Sequence, residues 1–137
     1  MAKGIRKVQF FVLHANDKPG EAAHLLKTLN KYKINLLAMS AFSSSRGSQI
    51  ELIPENAEQL RELARKYGWK LSSKKTGFLA QGKDRAGALA KLAEKLGKAG
   101  INITAVDAIA AGLDRYGAVF WVRPKDVEHA SEVLGAR

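Results

Sequence analysis

The chain has 137 residues and carries 23 Lys and Arg against 13 Asp and Glu, which gives a formal net charge of +10. It contains no cysteine, which excludes disulfide bonds, thiolate metal sites and cysteine nucleophiles. No apolar run approaches the ~20 residues that span a bilayer, and the first residues lack the apolar stretch of a signal peptide. We therefore expect a cytoplasmic protein with helices and strands that crosses no membrane and holds no metal.

The first half of the chain alternates between strand-like and helix-like hydrophobic patterns. Strands are predicted at 8–13, 35–42, 50–53 and 69–73, with a Ser/Gly turn at 43–48. Helical spacing appears twice between them, at Ala22, Leu25, Leu26 and Leu29, and at Ala57, Leu60, Leu63 and Ala64. Asp17 is a candidate N-terminal cap, Pro19 falls in the predicted first turn of that helix, and Pro54 is predicted to open the second helix.

The second half of the chain has the same order of elements, except for the last. Strands are predicted at 76–80, 102–109 and 118–122. Helical spacing appears at Leu89, Leu92, Ala93 and Leu96, and, after Pro124, at Val127, Ala130, Val133 and Leu134. No strand is predicted after the last helix, which leaves a sheet edge that proteins normally pair or protect.

An internal repeat explains this parallel. Residues 17–42 have ten identities among 26 pairs when they are aligned with residues 84–109. A duplicated unit of this size with the order βαββαβ predicts two ferredoxin-like sandwiches in tandem. We therefore predict an α+β fold with antiparallel sheets, helices on one face, and domains at 1–75 and 76–137.

These motifs resemble the ACT domain. In each copy an apolar strand leads to Asp-x-x-Gly before an amphipathic helix, and Ile-Asn then opens the next strand. The whole chain is similar to stand-alone proteins made of two ACT modules without a catalytic domain. The resemblance implies a regulatory protein that binds an amino acid or an analogue where two modules meet. It also implies a partner enzyme or transporter of amino-acid metabolism.

The resemblance assigns ligand binding to the strand-to-helix turn and to the start of the following strand. These positions are Asp17, Pro19, Gly20 and Asn35 in the first copy, and Asp84, Gly87 and Asn102 in the second. The family's proline is replaced by Ala86, so the second turn is expected to be less rigid and to bind more weakly.

Physical chemistry supports the same positions independently. A helix N-terminus suits a carboxylate, and a glycine such as Gly20 removes a side chain where ligand atoms approach the backbone. Asp17 would meet an α-ammonium group, and Asn35 offers a donor and an acceptor. A purely structural interpretation stays open, in which the aspartate caps the helix, the glycine eases the turn and the asparagine fixes the bend.

No catalytic constellation is evident in the sequence. His14, His24 and His129 lack metal-ligand spacing, although His14 lies close enough to the Asp17 turn to line a ligand pocket. The serines at 43–45 lack a nucleophile elbow. We expect neither an enzyme nor a cofactor.

The alternative function is binding of RNA or another polyanion by a basic ferredoxin-like sheet. Residues 115–122 loosely resemble the aromatic third strand of RNA-recognition motifs. Tyr116 and Phe120 fall on one face of that strand, however, and Trp121 falls on the other. The equivalent strand of the first copy has no aromatic residue. Nucleic acid is therefore not expected as a partner.

We predict that the modules pack against each other and that the chain forms a homodimer. Residues 8–13 are apolar on both faces of a strand, whereas a ferredoxin-like sandwich covers only one face with helices. Light scattering at tens of micromolar protein measures the mass directly. A monomer with separately mobile modules would contradict the prediction.

Overall fold

The computed structural model describes residues 4–45 and 47–137, so Arg46 of the predicted turn lies outside the described residues. The strands are β1 (Ile5–Ala15), β2 (Leu36–Ser44), β3 (Gly47–Pro54), β4 (Lys75–Lys83), β5 (Ile103–Gly112) and β6 (Arg115–Val122). The helices are α1 (Glu21–Lys31), α2 (Ala57–Tyr67), α3 (Ala90–Lys98) and α4 (Val127–Leu134), with a 3-10 turn at Pro124–Asp126. Helices combined with antiparallel strands confirm the predicted α+β class.

The chain forms two compact units. The first unit is Gln9–Lys75, and the second is Thr76–Arg137 together with the described residues up to Val8. None of the helices in the described part of the chain is long and apolar enough to cross a membrane.

In the first unit, β3 lies between β2 and β1 and is antiparallel to both. Its Ile50 pairs with Leu13 of β1 and with Ala41 of β2. Because strand side chains alternate between faces and helix side chains recur every three to four residues, one face of the strands and one stripe of each helix share a core. The buried residues of this core are Phe11, Leu13, Leu25, Leu29, Ile34, Ile50, Leu52, Leu60 and Leu63. Leu26, which was predicted on the apolar stripe of α1, is exposed instead.

The predicted strand at 69–73 is an extended segment outside the regular ladder. The backbone N–H of Ser72 donates to the carbonyl of Val12 at 2.9 Å. In the other direction, the N–H of Val12 donates to the hydroxyl of Ser72 at 2.8 Å. A side-chain oxygen thus replaces the backbone carbonyl that a ladder requires, which explains why the strand prediction was wrong.

In the second unit, β6 lies between β4 and β5 and is antiparallel to both. Phe78 pairs with Phe120, and their rings stack at 5.2 Å between centroids. The core again combines one strand face with both helices, and its buried residues are Phe78, Ala80, Leu92, Leu96, Ile101, Ala118, Phe120, Val122, Ala130, Leu134 and Ala136.

The beginning of the chain completes the second unit. The N–H of Gln81 in β4 donates to the carbonyl of Gly4 at 2.8 Å, and the N–H of Lys7 donates to the carbonyl of Arg137 at 2.9 Å. Ile5 packs against the core of this unit. The structure therefore groups the described residues 4–8 with 76–137, whereas the predicted boundaries place them with the first half. The reason is that these residues pair with β4 and with the segment after α4, through the hydrogen bonds of Gly4 and Lys7.

The helix starts differ from those predicted. Gly20, not Asp17, is the N-cap of α1, and no side chain caps this helix. Pro19 therefore precedes the helix and does not lie in its first turn. Pro54 is the last residue of β3, and Asn56 caps α2 by accepting a hydrogen bond from the N–H of Gln59 at 3.1 Å. A cap must lie directly before the first helical residue to reach these N–H groups, which neither Asp17 nor Pro54 does.

We expect Ser72→Ala to destabilise the protein by about 1–2 kcal/mol, because the N–H of Val12 loses its acceptor. Ser73→Ala is the matched control, since it removes the same hydroxyl from an exposed neighbour and keeps the carbonyl that accepts from Ser72. Urea unfolding midpoints measure both effects. Equal changes in the two variants would contradict the role assigned to Ser72.

Candidate functional site

The turn between β1 and α1 forms around a glycine with a positive φ. Gly20 has φ +92°, and a Cβ built there would meet no atom within 4 Å. The N–H of His24 donates to the carbonyl of Gly20 at 2.9 Å, which closes the first helical turn. Glycine is thus required here for its backbone conformation, since L side chains rarely adopt this φ. The expected role of making room for a ligand is not needed to explain it.

Asp17 is exposed and is bound to the beginning of β3. Its carboxylate accepts a hydrogen bond from the hydroxyl of Ser48 at 3.3 Å. Gly47 allows this close approach, because a Cβ there would lie 2.5 Å from the carbonyl oxygen of Ala15. Lys18 forms an ion pair with Glu21 at 3.4 Å across the start of α1.

A cavity of about 370 Å³ opens beside this turn. Its apolar wall consists of Leu13, Leu25, Ile50 and Trp69, with Ala15. Its polar lining consists of His14, Asn16, Glu21 and His24. The volume lies within the usual range for small-molecule sites, and the lining joins an apolar wall to a few polar groups, as such sites do.

The sequence signals only part of this lining. From the sequence His14 lies close enough to the Asp17 turn to line a pocket, and it does line this cavity. Glu21 and His24 were missed as a pair, although their i,i+3 spacing places them on one side of a helix. Trp69 was missed because it arrives from a segment 53 positions after Asn16, and no local pattern connects the two.

The second unit has an equivalent cavity of about 340 Å³ at its own strand-to-helix turn. Asp84 and Gly87 line it, together with Arg85, Ala88, Leu89, Ala90, Ala108, Ile109, Ala110 and Tyr116. Gly87 has φ +78°, like its counterpart in the first unit, and the N–H of Asp84 donates to the carbonyl of Asp114 at 2.7 Å. The helix begins only at Ala90, so α3 is shorter than α1.

Each asparagine lies far from the turn of its own unit. The side-chain amide of Asn35 donates to the carboxylate of Glu55 at 3.0 Å, beside the end of β3. Asp17 binds Ser48 at the beginning of that strand, seven positions away, or about 23 Å at the rise of an extended chain. The first unit therefore does not bring Asp17 and Asn35 together.

The second unit repeats this separation. Asp84 is bonded to Asp114 next to the beginning of β6, whereas Asn102 precedes Ile103, which pairs with Val122 at the end of β6. One small ligand within either unit cannot touch both groups.

The aromatic residues considered for RNA binding do not form an exposed platform. Phe120 is fully buried in the core, and Trp121 is buried as well. Tyr116 is half-buried and lines the cavity of the second unit. Among the described residues, no group of three or more His, Cys, Asp or Glu side chains is arranged to hold a metal ion.

The ACT domain family model matches residues 78–137, so an ACT domain is found in the second half of the chain. No curated protein matches the sequence. Several solved structures are similar. A protein from Bacteroides thetaiotaomicron is 20% identical with a TM-score of 0.77, and the match covers 96% of this chain and 88% of that one.

Two aspartate kinase structures are also similar. The ligand-free regulatory subunit of aspartate kinase from Thermus thermophilus is 15% identical with a TM-score of 0.64, over 98% of this chain and 96% of that one. The aspartate kinase of Clostridium acetobutylicum is 17% identical with a TM-score of 0.59, over 98% of this chain and 34% of the enzyme. At these identities the likeness shows a shared fold.

We expect Gly20→Ala to destabilise the protein by about 1–2 kcal/mol through backbone strain at positive φ. Gly97→Ala is the matched control, because Gly97 lies inside α3 with open space around it, and alanine there should stabilise by up to ~1 kcal/mol. Thermal unfolding measures both variants. A neutral or stabilising effect of Gly20→Ala would contradict the conformational role of this turn.

Proposed function

We propose that this protein is a non-catalytic regulator in which two ACT-like modules bind a free amino acid or a close analogue. The observation that carries the proposal is the recurrence of one feature in both units. Each has a cavity of several hundred Å³ at the turn between its first strand and first helix, next to a glycine with positive φ. The repeat in the sequence aligns these two turns at a spacing of 67 residues.

The proposed modules are 1–75 and 76–137, arranged in tandem. Support comes from the ACT match over 78–137 and from the identities that relate the first half to it. Support also comes from the order strand, helix, strand, strand, helix, which each compact unit contains. The described residues 4–8 then act as a complementing segment of the second module.

The cavity of the first unit fits a zwitterion. The N–H groups of the first turn of α1 have no acceptors further back in the helix, and the helix dipole is positive at this end, so a ligand carboxylate is favoured there. Glu21 lines the cavity and supplies the negative charge for an α-ammonium group. The apolar wall with Trp69 then takes the ligand side chain, for which burial is favourable.

In this proposal the turn that contains Asp17, Pro19 and Gly20 positions the first turn of α1 beside the ligand. Asp17 orders the turn through Ser48 and adds negative charge near the ligand ammonium. Pro19 restricts the backbone directly before the N-cap. Asp84 and Gly87 line the second cavity themselves, and Ala86 is still predicted to make that site the weaker one.

A regulator without catalysis acts through a partner. A ligand changes an equilibrium only by binding one state more tightly than another, so occupancy must alter contacts with another copy or another protein. We propose a cytoplasmic partner, an enzyme or a transporter of amino-acid metabolism. The similar fold of an aspartate kinase regulatory subunit supports this class of partner. The homodimer and a site where two modules meet stay predictions.

Titration calorimetry with each of the twenty amino acids tests the proposal. At least one should bind, and Glu21→Gln should weaken it roughly tenfold to a hundredfold, because a hydrogen bond to a charged group is lost. Glu132→Gln on α4 removes the same charge from an exposed position and should leave affinity unchanged. No heat with any amino acid, or equal effects of both variants, would contradict the proposal.

The role of the asparagines is tested separately by Asn35→Ala. Within one unit Asn35 cannot reach a ligand in the turn cavity, so the tenfold to hundredfold loss that the resemblance predicts requires Asn35 to come from a second module. The fold should stay intact, since Asn35 is exposed and outside the core. Glu55→Gln is the control, because it perturbs the same hydrogen bond and keeps the amide of Asn35. Unchanged affinity in Asn35→Ala would confine the ligand to the turn cavity.

A further inference from the structure

Three aromatic and two lysine side chains form a surface group where α1 and α2 end, in which Tyr32 and Trp69 are half-buried and the other three are exposed. Tyr32 follows α1, Tyr67 is the last residue of α2, and Trp69 begins the extended segment after it. Lys31 and Lys66 lie in the last turns of the two helices. We call these five residues the aromatic–lysine cluster.

The rings of the cluster are held in a fixed arrangement. Tyr67 and Trp69 stack with centroids 5.8 Å apart and an angle of 28° between ring planes. Tyr32 meets Tyr67 edge-on at 5.8 Å and 76°, and their hydroxyl groups hydrogen-bond at 2.9 Å. Three rings are thus oriented before any ligand arrives, which lowers the entropy cost of binding.

The cations lie against the same rings. The Nζ of Lys66 is 4.6 Å from the centroid of Tyr32, and that of Lys31 is 5.6 Å from it. Hydrogen bonding between Lys66 and Tyr32 raises the pKa of Lys66 and lowers the pKa of Tyr32. Lys66 therefore stays positively charged at neutral pH, in a position where an anion can reach it.

A small cavity of about 230 Å³ adjoins the ring of Tyr32. Its lining consists of Tyr32, Ile34, Gln59, Glu62, Leu63 and Lys66. Gln59 offers both a donor and an acceptor, which suits the hydrogen-bonding edge of a nucleobase. Glu62 opposes a phosphate at this point but accepts from base amino groups, so the phosphates are expected outside the cavity.

The core of the unit explains only part of the cluster. Tyr32 and Trp69 pack partly against that core, whereas Tyr67 is 41% exposed and presents its ring to solvent. Exposed aromatic rings next to cations are typical of surfaces that bind single-stranded nucleic acid, because every base has a π-face and every nucleotide a phosphate. The net charge of +10 adds long-range attraction for the same ligand.

We propose that the aromatic–lysine cluster binds single-stranded nucleic acid, with a base stacked on Tyr67 and the adjacent phosphates bound by Lys66 and Lys31. This site lies on the helix ends, not on the sheet face for which RNA binding was considered from the sequence. An acidic peptide offers the charge for the lysines but nothing to stack on the rings, so nucleic acid is the occupant that uses the whole cluster. Trp69 also lines the turn cavity, so the two proposed sites share this ring, but each is tested on residues that the other does not use.

Fluorescence anisotropy with a labelled single-stranded RNA of about 12 nucleotides tests it, a length within the range that one small domain covers. Tyr67→Ala should weaken binding roughly fivefold to 150-fold through the loss of base stacking. Tyr67→Phe, which keeps the ring and loses the hydroxyl, should bind like the unmodified protein. Phe42→Ala is the matched control, because Phe42 is an exposed aromatic residue on β2 of the same unit.

The salt dependence of RNA affinity distinguishes a phosphate contact made by a lysine of the cluster from general attraction to a basic protein. Between about 50 and 200 mM salt, Lys66→Gln should reduce the slope of log affinity against log salt by roughly 0.7, the value of one phosphate contact in a single strand. Lys95→Gln on α3 removes one exposed charge elsewhere and should leave the slope unchanged. Circular dichroism verifies that each variant is folded.

Several outcomes would overturn the proposal. Equal losses in Tyr67→Ala and Phe42→Ala, or equal slope changes in the two lysine variants, would show non-specific attraction to a basic protein. A mononucleotide or an acidic polypeptide that competes as well as the RNA would assign the cluster to that ligand. Calorimetry with amino acids is unaffected by any of these results, so this failure and that of the proposed regulatory function are distinguishable.

Discussion

The first unit depends on how the chain reverses between β1 and α1. Five residues, Asn16 to Gly20, connect an 11-residue strand to an 11-residue helix, and the connection closes through a positive φ at Gly20. That conformation positions the first turn of α1 and, with it, the stripe of Leu25 and Leu29 that covers the sheet. It also leaves the helix without a side-chain cap, and the N–H of Glu21 donates to the carbonyl of Lys18 at 3.4 Å instead. In the second unit Gly87 also has a positive φ, but α3 begins three residues later, with Leu89 as its N-cap.

Elements with a strong local pattern could be predicted from the sequence, and contacts between distant segments could not. The central strands and all four helices follow from periodicity, because burial of one face imposes it. The cap predicted at Asp17 and the helix start predicted at Pro54 were wrong, since the exact first residue of a helix varies by a few positions around the pattern that signals it. Asp17 and Asn35 are separated because they contact opposite ends of β3, which is antiparallel to both of its neighbours. The family motif assigns both residues to ligand binding because it is defined by sequence positions and not by distances in the folded protein.

The completion of the second unit depends on contacts across almost the whole chain. A hydrogen bond joins Gly4 to Gln81, and another joins Lys7 to Arg137. No periodicity in residues 4–8 signals which strand they accompany, because any edge strand offers the same row of N–H and C=O groups. The sequence predicted a sheet edge that needs a partner. Only the structure shows that the edge is that of β4 and that residues 4–8 pair with it.

Helix α1 relates the two proposed sites through its dipole. Its N-terminus borders the turn cavity and its C-terminus borders the aromatic–lysine cluster, about 16 Å apart along an 11-residue helix. The N-terminal end attracts a carboxylate through N–H groups and partial positive charge, without any cationic side chain. The C-terminal end carries partial negative charge and repels anions, so a phosphate can bind there only if lysines outweigh it. Lys31 and Lys66 lie at that end, and both stabilise the helix termini even when no ligand is bound. Because one rigid element borders both sites, a ligand that orders the N-terminal turn of α1 acts on the same helix whose other end presents Lys31 and Tyr32.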